Sequence, residues 1–127
     1  MKLAIDTNRY SDFWNGQSEV IRTIEEAEQV FIPFPVLGEL RSGFLNGTRA
    51  AENERVLRAF LGKRDIHVLL PDETTTVHYG SIHHQLRRQG TPIPINDVWI
   101  AALVLQHGLT LYARDKHFDH LPQLMRA

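Results

Sequence analysis

Four short apolar runs constrain the fold of this chain more than any other feature of its sequence. They lie at residues 3–5, 30–32, 66–69 and 109–112. A strand with one face in water alternates apolar and polar residues, whereas these runs show no alternation, which is typical of parallel strands covered on both faces. Helical stretches separate them, with Pro35 suited to a first turn and Gly47 and Gly62 suited to helix ends. The pattern predicts an α/β fold, a three-layer α/β/α sandwich with a short parallel sheet.

Two further helices have recognisable ends. Asp72 can cap a helix that runs toward Gly90. Asn96 can cap a helix over residues 97–107, which is apolar nearly all round and is closed by Gly108. A helix of that kind is expected to be buried at the centre of the fold. No linker-like stretch interrupts the 127 residues, so we expect one domain over residues 1–127.

The composition excludes several classes of function. The chain has no cysteine, which rules out disulfides, thiolate zinc sites and cysteine nucleophiles. The first apolar run is far too short for a signal peptide or a membrane span, so we expect a soluble, cytoplasmic protein without membrane contact. The formal net charge of -1 does not suit a protein that holds nucleic acid by phosphate contacts alone. An RNA substrate would therefore need bound cations or local arginine patches.

Four acidic residues fall where the predicted elements converge. Asp6 directly follows the first strand and Asp115 follows the last, so both should emerge at the carboxyl edge of a parallel sheet. Asp97 lies in the first turn of the apolar helix, where the helix dipole favours a negative charge. Glu39 borders the apolar face of the helix that begins near Pro35. Each residue alone has an ordinary explanation as a cap or turn former, and their joint placement is what suggests a site.

Carboxylates held close together repel one another, and a divalent cation reverses that penalty. Mg²⁺ and Mn²⁺ prefer oxygen ligands and are commonly held by a few carboxylates together with substrate phosphates. Such an ion lowers the pKa of a bound water and neutralises charge that builds on phosphorus oxygens. The four acids therefore predict a metal-dependent phosphodiester hydrolase.

Three segments carry a family resemblance. They are IDTN at 5–8, PVLGELRSG at 35–43 and PIPINDVWIAALVLQHGLTLYARDKHFDHLP at 92–122. With these motifs the chain resembles the PIN-domain nucleases, and among them the VapC-like toxins of type II toxin–antitoxin pairs. The similarity covers nearly the whole chain, and the last segment is the most specific part of it.

The resemblance implies roles for the acids. Asp6 and Asp97 correspond to the principal Mg²⁺ (or Mn²⁺) ligands of the family, and Asp115 completes the ligand set. Glu39 corresponds to the glutamate that binds through water or a second ion and orients the attacking water. Whether one or two ions are bound stays open.

Three further residues are candidates for a supporting role. Thr7 and Asn8 match the polar residues that follow the first aspartate of the family. Asp119 is a nearby acid that could replace Asp115 as the fourth ligand.

The resemblance also implies the biological setting. It predicts a toxin that cleaves structured RNA, tRNA or rRNA, by a metal-activated water. It predicts a homodimer that forms a hetero-oligomer with a cognate antitoxin. A housekeeping PIN-type RNA-processing nuclease and a catalytically silent PIN-like interaction module are the alternatives.

Basic and histidine residues give weaker signals. Arg41 and Arg114 lie close in sequence to proposed site acids, so they are candidates for RNA phosphate contacts, with simple ion pairing as the equally weighted alternative. His117 and His120 stand three residues apart near Asp115 and suggest zinc. Because no HExxH motif or cysteine supports zinc, surface or helix-end histidines are the expected explanation.

Overall fold

The computed structural model describes residues 1–127, and it contains five strands, six α-helices and one short 3₁₀ helix. The strands are β1 Lys2–Ile5, β2 Gln29–Pro33, β3 Ile66–Leu69, β4 Thr110–Tyr112 and β5 Met125–Arg126. The helices are α1 Thr7–Trp14, α2 Ser18–Glu26, α3 Phe34–Asn46, α4 Ala50–Leu61, α5 Glu73–Gln89 and α6 Ile95–Gln106, followed by the 3₁₀ helix at Lys116–His120.

All five strands belong to one sheet in the order β3-β2-β1-β4-β5, and every neighbouring pair is parallel. The four apolar runs of the sequence are β1 to β4, so the predicted parallel sheet is confirmed. The sequence did not reveal β5, because Met125 and Arg126 are both exposed and show no apolar pattern.

The central strand is covered on both faces. Leu3, Ala4 and Ile5 are consecutive residues of β1, so they point alternately to opposite sides, yet all three are fully buried. The chain runs outward from β1 to β3 and then returns across the sheet to β4. Connections between parallel strands are right-handed crossovers. Because the connections from β1 to β3 and from β3 to β4 run in opposite directions along the sheet, their helices lie on opposite faces. This arrangement confirms the three-layer α/β/α sandwich. None of the helices combines the length and the apolar composition that crossing a bilayer requires.

The strand order defines where a ligand is expected. From β1 the chain continues to β2 on one side, while β4 flanks β1 on the other side. The helices that follow two such strands leave in different directions, which opens a crevice at the carboxyl ends of β1 and β4. Asp6 and Asp115 follow these two strands.

Most helix ends lie where the sequence predicted them. The Asp72 side chain accepts a hydrogen bond from the Thr75 amide (3.1 Å), and α5 ends at Gly90, whose φ of 72° is the left-handed conformation that glycine adopts readily. The predicted cap at Asn96 is wrong, because α6 begins two residues earlier. The carbonyl of Pro94 already accepts hydrogen bonds from the amides of Asp97 (3.0 Å) and Val98 (3.2 Å), so Asn96 lies inside the first turn.

Two isoleucines of α6 differ in burial, and this difference allows a test of the central position of the helix. Ile100 is almost fully buried, whereas Ile95 on the first turn is half exposed. We expect Ile100→Ala to lower the free energy of unfolding by roughly 2–5 kcal/mol because it leaves a cavity. Ile95→Ala should change it by less than about 1 kcal/mol. Urea unfolding followed by circular dichroism measures both, and equal losses would contradict the central position of α6.

Candidate functional site

Asp6 connects β1 to α1 and is one of three buried polar or charged residues. Its Oδ1 accepts a hydrogen bond from the Arg9 amide (2.9 Å), so the carboxylate caps α1. Burial raises the pKa of Asp6 to about 6, against the lowering effect of the Arg9 amide and guanidinium, and the charges of Asp115 and Asp97 raise it further. The contributions of Asp115 and Asp97 place these two acids within electrostatic reach of Asp6.

Asp97 and Asp115 approach from two other elements. Asp97 is the third residue of α6, and Asp115 immediately precedes the 3₁₀ helix, where its Oδ1 accepts a hydrogen bond from the His117 amide (2.9 Å). Burial raises the pKa of Asp97, a hydrogen bond from His117 opposes that rise, and the charge of Asp115 adds to it. Three acids from distant positions therefore meet at the switch point of the sheet.

His117 lies between two of these acids. Its Nδ1 is 2.8 Å from Asp97 Oδ2 and 3.0 Å from Asp115 Oδ1. One donor atom from each of the three residues lies within 4.8 Å of the others, which is close enough for them to share one ion. Sequence reasoning expected His117 to be a surface or helix-end residue. Its position two residues after Asp115, in a short turn capped by that acid, was the available signal.

Glu39 enters the site from α3. Its Oε1 accepts a hydrogen bond from the Thr7 hydroxyl (3.2 Å), so Thr7 is tied to the site as well. Burial raises the pKa of Glu39, the Thr7 hydrogen bond lowers it, and the charges of Asp97 and Asp115 raise it. All four predicted acids thus interact electrostatically. Asn8 is exposed on α1.

An apolar cavity of about 790 Å³ lies beside Glu39, between α3, α5 and α6. Phe34 and Trp99 line it, and the Trp99 ring stacks on Tyr79 with 4.0 Å between centroids. The neighbouring polar residue Asn96 belongs to the first turn of α6. The acids therefore border a concave surface with aromatic walls.

Both arginines proposed for phosphate contacts have carboxylate partners. Arg41 donates two hydrogen bonds of 2.9 Å to Glu54. Arg114 donates hydrogen bonds of 3.0 and 3.2 Å to Asp12, a buried acid that sequence reasoning missed. The ion-pair alternative accordingly describes both in this structure, although Arg41 also lines the cavity.

Asp119 is not part of the group formed by Asp97, Asp115 and His117. Its exposed carboxylate pairs instead with Arg126 (3.1 Å). Between the two alternatives for the fourth acid, the geometry favours Asp115.

The donor set suits a divalent cation. Carboxylate oxygens dominate it, and they are the ligands that Mg²⁺ and Mn²⁺ take most readily. Uncompensated burial of such charges is costly, so a cation would relieve both the desolvation and the mutual repulsion. The fold and the site together define an α/β domain with a cluster of carboxylates at the switch point of a parallel sheet.

Comparison with known proteins identifies the family to which this domain belongs. The family profile of the PIN domain matches residues 3–124, and the chain belongs to the PIN-domain family. Ribonuclease VapC4 of Mycobacterium tuberculosis is 30% identical over 88 residues, which cover 69% of this chain and 68% of that protein. Ribonuclease VapC1 of Haemophilus influenzae strain R2866 is 28% identical over 98 residues, covering 76% and 72%.

Solved structures show the same fold. The DNA-bound VapBC of Salmonella typhimurium superimposes with a TM-score of 0.89 at 24% identity, covering 100% of this chain and 97% of that one. VapBC-1 of nontypeable Haemophilus influenzae gives a TM-score of 0.88, with the same identity and coverage. At this identity the similarity establishes the fold.

The raised pKa of Asp6 predicts that its charge destabilises the metal-free fold. Because the folded-state pKa of about 6 exceeds the ordinary value of 3.8, the cost appears as pH rises between these values and is absent at lower pH. In EDTA at pH 7, Asp6→Asn should raise the free energy of unfolding by up to about 3 kcal/mol, since asparagine keeps the cap on α1. The gain should shrink toward zero near pH 4.

Urea unfolding of both proteins at the two pH values measures this effect. Asp119→Asn is the matched control, because Asp119 is exposed, and it should not show the same pH-dependent gain. An Asp6→Asn protein that is no more stable than wild type at pH 7 would contradict the assigned cost.

Proposed function

We propose that this protein is a magnesium- or manganese-dependent endoribonuclease that acts as the toxin of a toxin–antitoxin pair. The observation that carries the proposal is the convergence of Asp6, Asp97 and Asp115 at one sheet edge, in a chain similar to proteins named VapC ribonucleases. Each acid also stabilises a helix start, but holding three carboxylates together at a partly buried site costs desolvation and repulsion that a bound cation would relieve.

The residues of the site have different roles in the proposed reaction. Asp6 and Asp97 are the principal cation ligands, and Asp115 completes the set. A bound Mg²⁺ or Mn²⁺ supplies an activated water and neutralises charge on the scissile phosphate. Glu39 orients the attacking water and accepts its proton, since a raised pKa moves a carboxylate toward the range of a general base. The Thr7 hydroxyl holds Glu39 in place (3.2 Å).

The cavity beside Glu39 supports a structured RNA, such as a tRNA or rRNA loop, as substrate. Proteins recognise RNA loops by splaying out unpaired bases and stacking them on aromatic rings. Phe34 is 52% exposed and lines the cavity together with Trp99. Arg41, which lines the same cavity, and Arg114, within electrostatic reach of Asp6, can contact phosphates if RNA displaces their carboxylate partners.

Metal dependence and the acid roles are tested together. We expect RNA cleavage with Mg²⁺ or Mn²⁺ that EDTA abolishes, and at least about 100-fold slower cleavage in Asp6→Asn and Asp97→Asn, because each removes a ligand while the fold is retained. Cleavage of a labelled structured RNA, followed on denaturing gels, measures the rates. Asp119→Asn should cleave at close to the wild-type rate.

Full activity in Asp6→Asn or Asp97→Asn would contradict the site. A wild-type protein that cleaves no RNA with either cation would favour the catalytically silent interaction module instead.

The similarity to solved complexes also suggests binding partners for this chain. The Salmonella typhimurium and Haemophilus influenzae neighbours are VapBC complexes, and the Neisseria gonorrhoeae neighbour is FitAcB, with a TM-score of 0.76. We propose that this chain forms a homodimer and assembles with a cognate antitoxin into a hetero-oligomer. A cytoplasmic location and a single domain over residues 1–127 remain predictions.

The toxin role has its own test. Induced expression of the wild-type chain in bacteria should arrest growth, and Asp97→Asn should not, because arrest requires cleavage. Co-expression of the neighbouring small open reading frame should restore growth. Measured growth curves that show no arrest, with a protein active in vitro, would favour the housekeeping RNA-processing alternative.

A further inference from the structure

The imidazole of His117 is in contact with two carboxylates through a single atom. Its Nδ1 lies 2.8 Å from Asp97 Oδ2 and 3.0 Å from Asp115 Oδ1. A ring nitrogen carries at most one proton, so it cannot donate a full hydrogen bond to both oxygens. Two acceptors converge on one nitrogen, which is the arrangement expected of three donors around a common ion.

The spacing of these atoms agrees with that arrangement. Neighbouring ligands of an octahedral ion with bonds of about 2.1 Å lie about 3 Å apart. Both distances from His117 Nδ1 have this value, and all three donor atoms lie within 4.8 Å of one another. Small adjustments of two side chains and one ring would let the three share one ion.

The position of His117 is fixed by one of the same acids. Asp115 Oδ1 accepts a hydrogen bond from the backbone amide of His117 (2.9 Å), which holds the start of the 3₁₀ helix. The ring itself is 44% exposed, so no core packing accounts for its orientation toward the acids.

We propose that His117 is a nitrogen ligand of the catalytic cation, together with Asp97 and Asp115, and that it biases the site toward Mn²⁺ over Mg²⁺. This inference rests on the proposed metal-dependent function. Mg²⁺ keeps oxygen ligands and loses its waters reluctantly, whereas first-row transition ions accept imidazole readily. A site built from oxygens alone would have a weaker preference for Mn²⁺.

Direct Mn²⁺ binding tests the proposal without reference to activity. Loss of the aqueous Mn²⁺ electron paramagnetic resonance signal gives the affinity, competition with Mg²⁺ gives the selectivity, and pulsed spectra detect a coordinated imidazole nitrogen. The proteins are wild type, His117→Ala, His117→Asn and Asp97→Asn. His120→Ala is the matched control, because His120 is an exposed histidine of the same 3₁₀ helix.

Wild type should show imidazole coupling to Mn²⁺. His117→Ala should lose that coupling and bind Mn²⁺ roughly tenfold or more weakly, with a smaller effect on Mg²⁺. His117→Asn replaces nitrogen by an amide oxygen, so it should recover Mg²⁺ binding while the preference for Mn²⁺ falls. His120→Ala should behave like wild type.

Three results would overturn the proposal. A His117→Ala protein with wild-type Mn²⁺ affinity would show that the histidine only hydrogen-bonds to the acids, while an affinity loss in Asp97→Asn would leave the proposed function intact. An equal loss for Mn²⁺ and Mg²⁺ would remove the selectivity. A wild-type protein that binds neither cation would contradict both the ligand role and the proposed metal dependence.

Discussion

The energetics of the site depend on the burial of Asp6 and Asp97 beside Asp115, because burial is the main cause of their raised pKa values and repulsion between the carboxylates adds to it. Each stands at a helix start: Asp6 caps α1, Asp97 lies in the first turn of α6, and Asp115 precedes the 3₁₀ helix. Amide groups at helix starts stabilise negative charge, yet the pKa of Asp6 still rises to about 6 because burial outweighs them. The fold therefore holds charges that it does not fully compensate, which is the condition under which a cation binds strongly.

The parallel sheet produces this cluster. Ile5 of β1 pairs with Tyr112 of β4, and the Asp6 amide donates a hydrogen bond to the Tyr112 carbonyl (3.4 Å). The two strands therefore end at the same level, and the residues that follow them meet. Because β1 is buried on both faces, its register cannot slip without exposing apolar side chains, so the separation of the acids is fixed by the hydrophobic core.

Local sequence patterns predicted most of the strands and helix ends. Uninterrupted apolar runs marked β1 to β4, and Asp72 with Gly90 marked the ends of α5, because these signals depend on neighbouring residues only. The cap of α6 was misplaced since both Pro94 and Asn96 are plausible starts, and the backbone carbonyl of Pro94 decides between them.

Contacts between distant residues were harder to predict. Asp12 and Arg114 are 102 positions apart, so nothing local indicates their ion pair. The sequence around His117 and His120 has no HExxH motif or cysteine to indicate a metal site, whereas the partners of His117 in the fold are Asp97 and Asp115. The four acids were predictable because each follows a strand or lies on a helix whose direction the sequence had already defined.

Anomalous diffraction from crystals grown with Mn²⁺ shows directly whether a cation binds among these acids. We expect an anomalous peak bonded to carboxylate oxygens of Asp97 and Asp115 and close to Asp6, and no such peak in Asp6→Asn, Asp97→Asn double-variant crystals grown in the same way. Wild-type crystals with no ion among these acids, at a Mn²⁺ concentration that supports cleavage, would contradict it.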